Sequence, residues 1–174
     1  PSAGDYSIYQ KGFLLGLQKD YKGKISAMDR LISEYPESQY VDDALFEKGR
    51  SYVLLENSSS AAQAFEKLIR EFPLSSLARK AGIQLGLLYY NDNQPEKALA
   101  AYKQVISNYP GSEEAKIALQ DLKSVYIDLN DINAYALGMG TGATAGALAP
   151  IAYNGSTGQQ QPAIIVTDLS QLAS

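Results

Sequence analysis

This sequence has no cysteine and no histidine, and only two methionines. Without thiols there is no disulfide framework and no thiolate nucleophile. Without imidazole there is no histidine base, and the two absences together remove every Cys/His zinc site. A metal would have to rest on carboxylates, but these are spread along the sequence rather than clustered as a calcium loop requires. No cofactor is expected. No apolar run is long enough to span a bilayer. Basic charge is short as well. The net charge is −4 and the isoelectric point is near 4.8, so neither a nucleic acid nor an anionic membrane is the expected partner. The chain begins at Pro1 with neither an initiator methionine nor a signal peptide, as expected of a processed chain or of a segment of a longer one.

What is present is repetition. Of the 174 residues, 45% are hydrophobic and 20% charged, a composition that can bury a core and fits about one domain. Gly12, Gly49 and Gly86 stand 37 residues apart, as do Pro36, Pro73 and Pro110, Ala27, Ala64 and Ala101, and Ser38, Ser75 and Ser112. Self-similarity at a fixed period of this size is the signature of a repeat array. Apolar residues at three- and four-residue spacing predict helix pairs over 5–18 and 24–35, 40–56 and 60–72, and 77–91 and 95–109, followed by a lone helix over 113–129. Ile8, Phe13, Leu14, Leu15 and Leu17 are read as the apolar side of the first helix. Asn93, with Glu96 three residues on, is read as a capping box.

Each repeat boundary is spelled alike: Tyr35-Pro36-Glu37-Ser38, Phe72-Pro73-Leu74-Ser75, Tyr109-Pro110-Gly111-Ser112. Proline cannot continue the helix before it and pushes the preceding residue out of the α region. The serine two residues on can accept from the free amides of the next helix. The recurrent glycines and alanines mark close approaches between helices. In the fourth unit the glycine position is Lys123, which predicts different packing there or the end of the stack.

Leu85-Gly86-Leu87-Leu88-Tyr89 with Ala98, Tyr102 and Pro110, and Gly49, Tyr52, Ala61, Phe65 and Pro73, resemble tetratricopeptide repeats. The first unit departs from that pattern, with Lys24 and Met28 where alanine and an aromatic are usual. The period exceeds the family's by about three residues. This longer form resembles the repeats of bacterial cell-envelope proteins, of the Tol–Pal-associated periplasmic and outer-membrane assembly lipoprotein kinds. The resemblance covers residues 5–129 and implies an all-α, right-handed α-solenoid that serves as a non-catalytic protein-binding scaffold. It also implies a periplasmic or envelope-associated location. On the repeat count the solenoid should occupy 1–133, three full pairs plus a fourth first helix, with a Gly/Ala/Gln-rich tail over 134–174, partly helical or extended.

In the family the first helices line a groove that holds a peptide. Carried over by register, the partner-binding positions are Tyr9, Phe13, Phe46, Arg50, Lys80, Ile83, Leu87, Tyr90, Gln120 and Ser124, with Asp43 beside them. Apolar members of this set are equally read as packing between helices, and Arg50 and Lys80 as a solvated face. A carboxylate clamp is not expected, because Tyr9, Phe46 and Ile83 stand where its polar residues belong. Of the 13 tyrosines, Tyr35 and Tyr109 precede the repeat prolines and Tyr52 and Tyr89 hold a helix-packing position, so their number does not by itself indicate a recognition surface.

In the tail, Gly140-x-Gly142-x-x-Ala145 formally matches a dinucleotide fingerprint, but no strand is expected before it and Pro150 interrupts the helix that should follow. Nucleotide binding or enzymatic activity through that motif is the remote alternative. Self-association through the C-terminal edge, or service as a spacer in a larger repeat protein, is the nearer one. A further expectation places the β-prone run Ile164–Thr167 in a repeat groove.

Overall fold

The computed structural model describes residues 3–129 and the short pairs 138–139 and 165–166. Among the described residues there are seven helices: α1 (Ala3–Leu17), α2 (Tyr21–Glu34), α3 (Val41–Leu54), α4 (Ser58–Glu71), α5 (Ser76–Asn91), α6 (Pro95–Asn108) and α7 (Glu113–Leu129). The chain divides into two compact units, Pro1–Leu88 and Tyr89–Ser174, parting within α5. The expected boundary at 133/134 lies outside the described residues, as do the Gly140–Ala145 motif and most of the tail. There, Gly138–Met139 pairs in parallel with Ile165–Val166. So those two residues of the β-prone run lie against the chain's own 138–139 segment.

In the first unit α1 packs on α2, α2 on α3, and α3 on α4. The helices form because their apolar residues recur on one face. Ala61, Ala64, Phe65 and Leu68 of α4 are all buried, and so are Ile25, Ala27, Met28 and Leu31 of α2. Met28 and Phe65 stand one period apart and are both fully buried, so the flexible methionine fills the site an aromatic occupies in the next repeat. Room for these side chains comes from glycine. A Cβ on Gly49 would lie 2.5–2.8 Å from three ring atoms of Phe65, and one on Gly12 would overlap the Met28 methyl. In the second unit α6 packs on α7 around Ala98, Tyr102, Val105 and Leu122. There the buried Tyr102 hydroxyl donates to Asp121.

The repeat boundary is built from the backbone. Tyr35, Phe72 and Tyr109 each close a helix by donating their N–H four residues back, at φ −135°, −129° and −131°. Their ψ values of 61°, 54° and 53° take them out of the α region, as the following proline requires. Ser38 Oγ then accepts from Tyr40 N, Ser75 Oγ from Leu77 N, and Ser112 Oγ from Ala115 N. The same hydroxyls also donate. Ser38 Oγ donates to Asp5 Oδ2 and Ser75 Oγ to Asp42 Oδ2, each at 2.7 Å, and so tie each boundary to the start of the preceding first helix. Ser112 Oγ donates to the Tyr109 carbonyl at 2.8 Å.

The turn inside each helix pair also repeats. Lys19, Glu56 and Asn93 have φ of +61°, +56° and +56°. The next N–H reaches back to close a Schellman motif: Asp20 N–H donates to Leu15 O at 2.9 Å, Asn57 N–H to Tyr52 O at 2.9 Å, and Gln94 N–H to Tyr89 O at 2.8 Å. That next residue then caps the following helix, Asp20 accepting from Gly23 N and Asn57 from Ser60 N. Asn93 is therefore the left-handed end of α5 and not a capping-box residue. The cap of α6 is Gln94, without a side-chain bond.

The first helix departs from its expected apolar side. Ile8 is buried, but Phe13, Leu14 and Leu17 are 49%, 56% and 68% exposed. Leu14 stands one period before Ser51, which is buried in α3 where that helix packs on both α2 and α4. Among the described residues no helix precedes α1 to cover the equivalent face.

Candidate binding face

The groove positions lie on the first helix of each pair. Tyr9, Phe46 and Ile83 are half-buried, and Phe13, Arg50, Lys80, Leu87, Tyr90, Gln120 and Ser124 are exposed. None belongs to the closed core. Phe46 comes nearest to the packing role, its ring tilted against Phe65 at 5.9 Å between centroids. Tyr90, Gln120 and Ser124 belong to the second unit and the others to the first.

On α3 the face is one stripe. Tyr40, at the N-cap, is followed at three, four and three residues by Asp43, Glu47 and Arg50. Glu47 receives two cations. Lys24 reaches it from α2, with its side chain 11% exposed, and Arg50 Nη1 lies 3.1 Å from its other oxygen. Lys24 occupies the register position of Ala61 and Ala98, so the residue that breaks the repeat pattern in the first unit supplies an ion pair. Arg50, chosen from the sequence as an unexplained charge, already has an intrahelical partner. Lys48 points away from this pair, to Asp29 at 2.5 Å.

Three tyrosines meet at the start of the stripe. Tyr9 stacks on Tyr40 with centroids 5.1 Å apart and planes 17° from parallel, and Tyr6 leans on Tyr40 at 5.8 Å. Burial raises the Tyr9 hydroxyl above its ordinary pKa, and the charges of Asp43, Glu47 and Asp42 add to that. Burial also raises Asp43, followed by repulsion from Asp42 and Glu47. Among the described residues no cation offsets this for Asp43. Tyr6, Tyr40 and Glu47 escaped the sequence reading, because Tyr40 has no aromatic counterpart one period away: Ala3 and Leu77 stand there. Only the packing of the helix pairs brings it to Tyr9.

A cavity of about 510 Å³ lies between Asp5, Glu34 and the Tyr35–Ser38 boundary, but the Ser38 hydroxyl and the Asp5 carboxylate in its wall are bonded to each other. Among the described residues no cluster of carboxylates could hold a metal ion, and no helix is long and apolar enough to cross a membrane.

Comparison with known proteins agrees with this architecture. Residues 42–120 match the YfiO outer membrane lipoprotein family, and residues 6–38 match a tetratricopeptide-repeat family. No curated protein matches. Among solved structures, the Sgt2 TPR domain from Aspergillus fumigatus is similar at 21% identity over 75% of this chain and 84% of that one, with a TM-score of 0.60. A MamA RS-1 ArsTM double mutant is 22% identical over 73% of this chain and 66% of that one, at 0.58. The Arabidopsis OM64 TPR domain is 15% identical over 70% and 95%, at 0.55. At these identities the likeness shows the fold.

Proposed function

We infer that this chain, which is built of tetratricopeptide repeats, is a non-catalytic scaffold that holds a protein segment along the exposed face of its first helices. The repeat fold supports a protein-binding role. The observation that carries the finer reading is the set of large side chains that the first unit leaves out of its core: Phe13 and Leu87 exposed, with Tyr9, Phe46 and Ile83 half-covered. Apolar patches of this kind on an otherwise well-packed helical protein mark interaction sites. The outer membrane lipoprotein match over 42–120 favours a place in assembly or maintenance of a bacterial cell envelope. The acidic net charge favours a protein over a nucleic acid as partner.

The test is capture from a Gram-negative envelope extract with the wild-type chain and with Arg50→Glu/Lys80→Glu as paired baits, the captured protein then being titrated against both in purified form. A partner bound by the wild type and lost by the double variant supports the face. A partner bound equally by both places binding elsewhere. The second reading is self-association, favoured by exposed Ile117 on α7 and Leu14 on α1. A concentration-dependent rise in sedimentation coefficient, abolished by Ile117→Glu, would favour it.

A further inference from the structure

The stripe on α3 leaves one charge unanswered. Glu47 takes both Lys24 and Arg50. Lys48 is committed to Asp29. Asp42 accepts from Ser75 Oγ and from the amide of Asp43. The Asp43 carboxylate, half-buried between these acids, has no cation or donor among the described residues. One turn away on the same stripe stands Tyr40, in ring contact with both Tyr9 and Tyr6. Asp5, Asp29 and Asp42, by contrast, are each paired with a side chain.

Aromatic faces carry a negative quadrupole and attract a cation placed over them. A carboxylate beside the ring supplies a charge-assisted acceptor for the same cation. The two features call for one chemistry. An incoming carboxylate or phosphate would meet the Asp43 carboxylate, with Asp42 beside it, and be repelled. We propose that Tyr6, Tyr9, Tyr40 and Asp43 form a seat for a single lysine or arginine side chain of the protein segment bound along the first helices. This rests on the reading of that face as the binding surface and adds the chemistry of one anchoring residue. The ammonium or guanidinium lies over the exposed Tyr6 ring and the half-buried Tyr9 ring and donates to Asp43. Arg50, two turns further along and paired with Glu47, marks the end of the acidic part of the stripe.

The test uses the full chain with ring-labelled tyrosine, followed by NMR. The probes are Nα-acetyl-lysine methylamide and, as the neutral shape control, Nα-acetyl-norleucine methylamide. The expected result is saturable shifts of the Tyr6, Tyr9 and Tyr40 ring signals with the lysine probe only. Asp43→Asn, which keeps shape and removes charge, should bind the lysine probe at least about fivefold more weakly, and Tyr9→Leu likewise. Equal shifts with norleucine, no saturable shift, or undiminished binding by Asp43→Asn would each overturn the seat. The outcome is separable from that of the binding face. A partner lost by Arg50→Glu/Lys80→Glu but bound in full by Asp43→Asn removes the seat and leaves the face. Lysine-specific shifts with a partner indifferent to Arg50 and Lys80 remove the face.

Discussion

Gly49→Ala tests the central packing claim, because two known effects oppose each other there. In an exposed helix interior the change gains about 1 kcal/mol of helix propensity. Here the new methyl would sit 2.5, 2.7 and 2.8 Å from three atoms of the Phe65 ring, against an ordinary contact of about 3.5–4 Å. The ring would have to retreat by about 1 Å. Phe65 is fully buried and its ring also meets Phe46, so it has little room to do so. Overpacking of this sort costs about 1–3 kcal/mol. Set against the propensity gain, the net loss should be about 0–2 kcal/mol. With a urea slope of about 2 kcal/mol per molar, the unfolding midpoint should fall by up to about 1 M. The decisive control is the double-mutant cycle with Phe65→Leu. Leucine lacks the ring edge that meets the new methyl, so in that background Gly49→Ala should become neutral or stabilising, a coupling of about 1 kcal/mol or more. If Gly49→Ala raises the midpoint in the wild-type background, the close approach of α3 and α4 is not what requires glycine, and the reasoning fails.

Ser75→Ala removes both a cap to Leu77 N and a charge-assisted bond to Asp42, and should cost about 2 kcal/mol by urea unfolding. Ser75→Thr should recover most of it, and an alanine variant as stable as the wild type would refute the boundary tie. Glu56→Gly should stabilise by about 0.5–1 kcal/mol, since glycine occupies φ +56° without steric cost; a loss on thermal unfolding would count against the Schellman reading. Asp43→Asn should be more stable than the wild type at neutral pH. The native carboxyl has its pKa raised by burial and by Asp42 and Glu47, so its ionised form costs stability above that pKa. As pH falls through the raised native value towards the unfolded one, the wild type takes up a proton in the folded state first and the gap should close. A gap that is constant or widens on acidification would refute the assignment.

Much of the fold was legible because it is spelled locally. The Tyr/Phe-Pro-x-Ser boundary fixes its own dihedral angles, since proline constrains the residue before it whatever the surroundings. The glycine and alanine registers gave the close approaches. The left-handed turn was not legible: Lys19 and Glu56 carry no sequence signal for positive φ, and Asn93 suggested a cap one residue too early. Those conformations follow from how abruptly the second helix must turn back to cover the first. The exposed Leu14 and Leu17 were misread for a related reason. The apolar pattern of a helix says which face seeks burial, but not whether a neighbour is present to provide it.

The candidate face divides in the same way. Sequence register alone placed Tyr9, Phe46, Arg50 and the other groove residues on the first helices, because a repeat carries one geometry from unit to unit. What the register could not supply were the contacts unique to one unit: Lys24 reaching Glu47, Arg50 spent on the same carboxylate, and Tyr40 brought against Tyr9. The sequence by itself determined a helical repeat with a period of 37 residues, since backbone propensity and apolar spacing act over a few residues at a time. Only the tertiary structure decided which charges are answered and that, among the described residues, Asp43 is not. Coulombic pairing and ring stacking depend on distances between helices, and the distance between Tyr9 and Tyr40 is fixed by packing rather than by their separation along the chain.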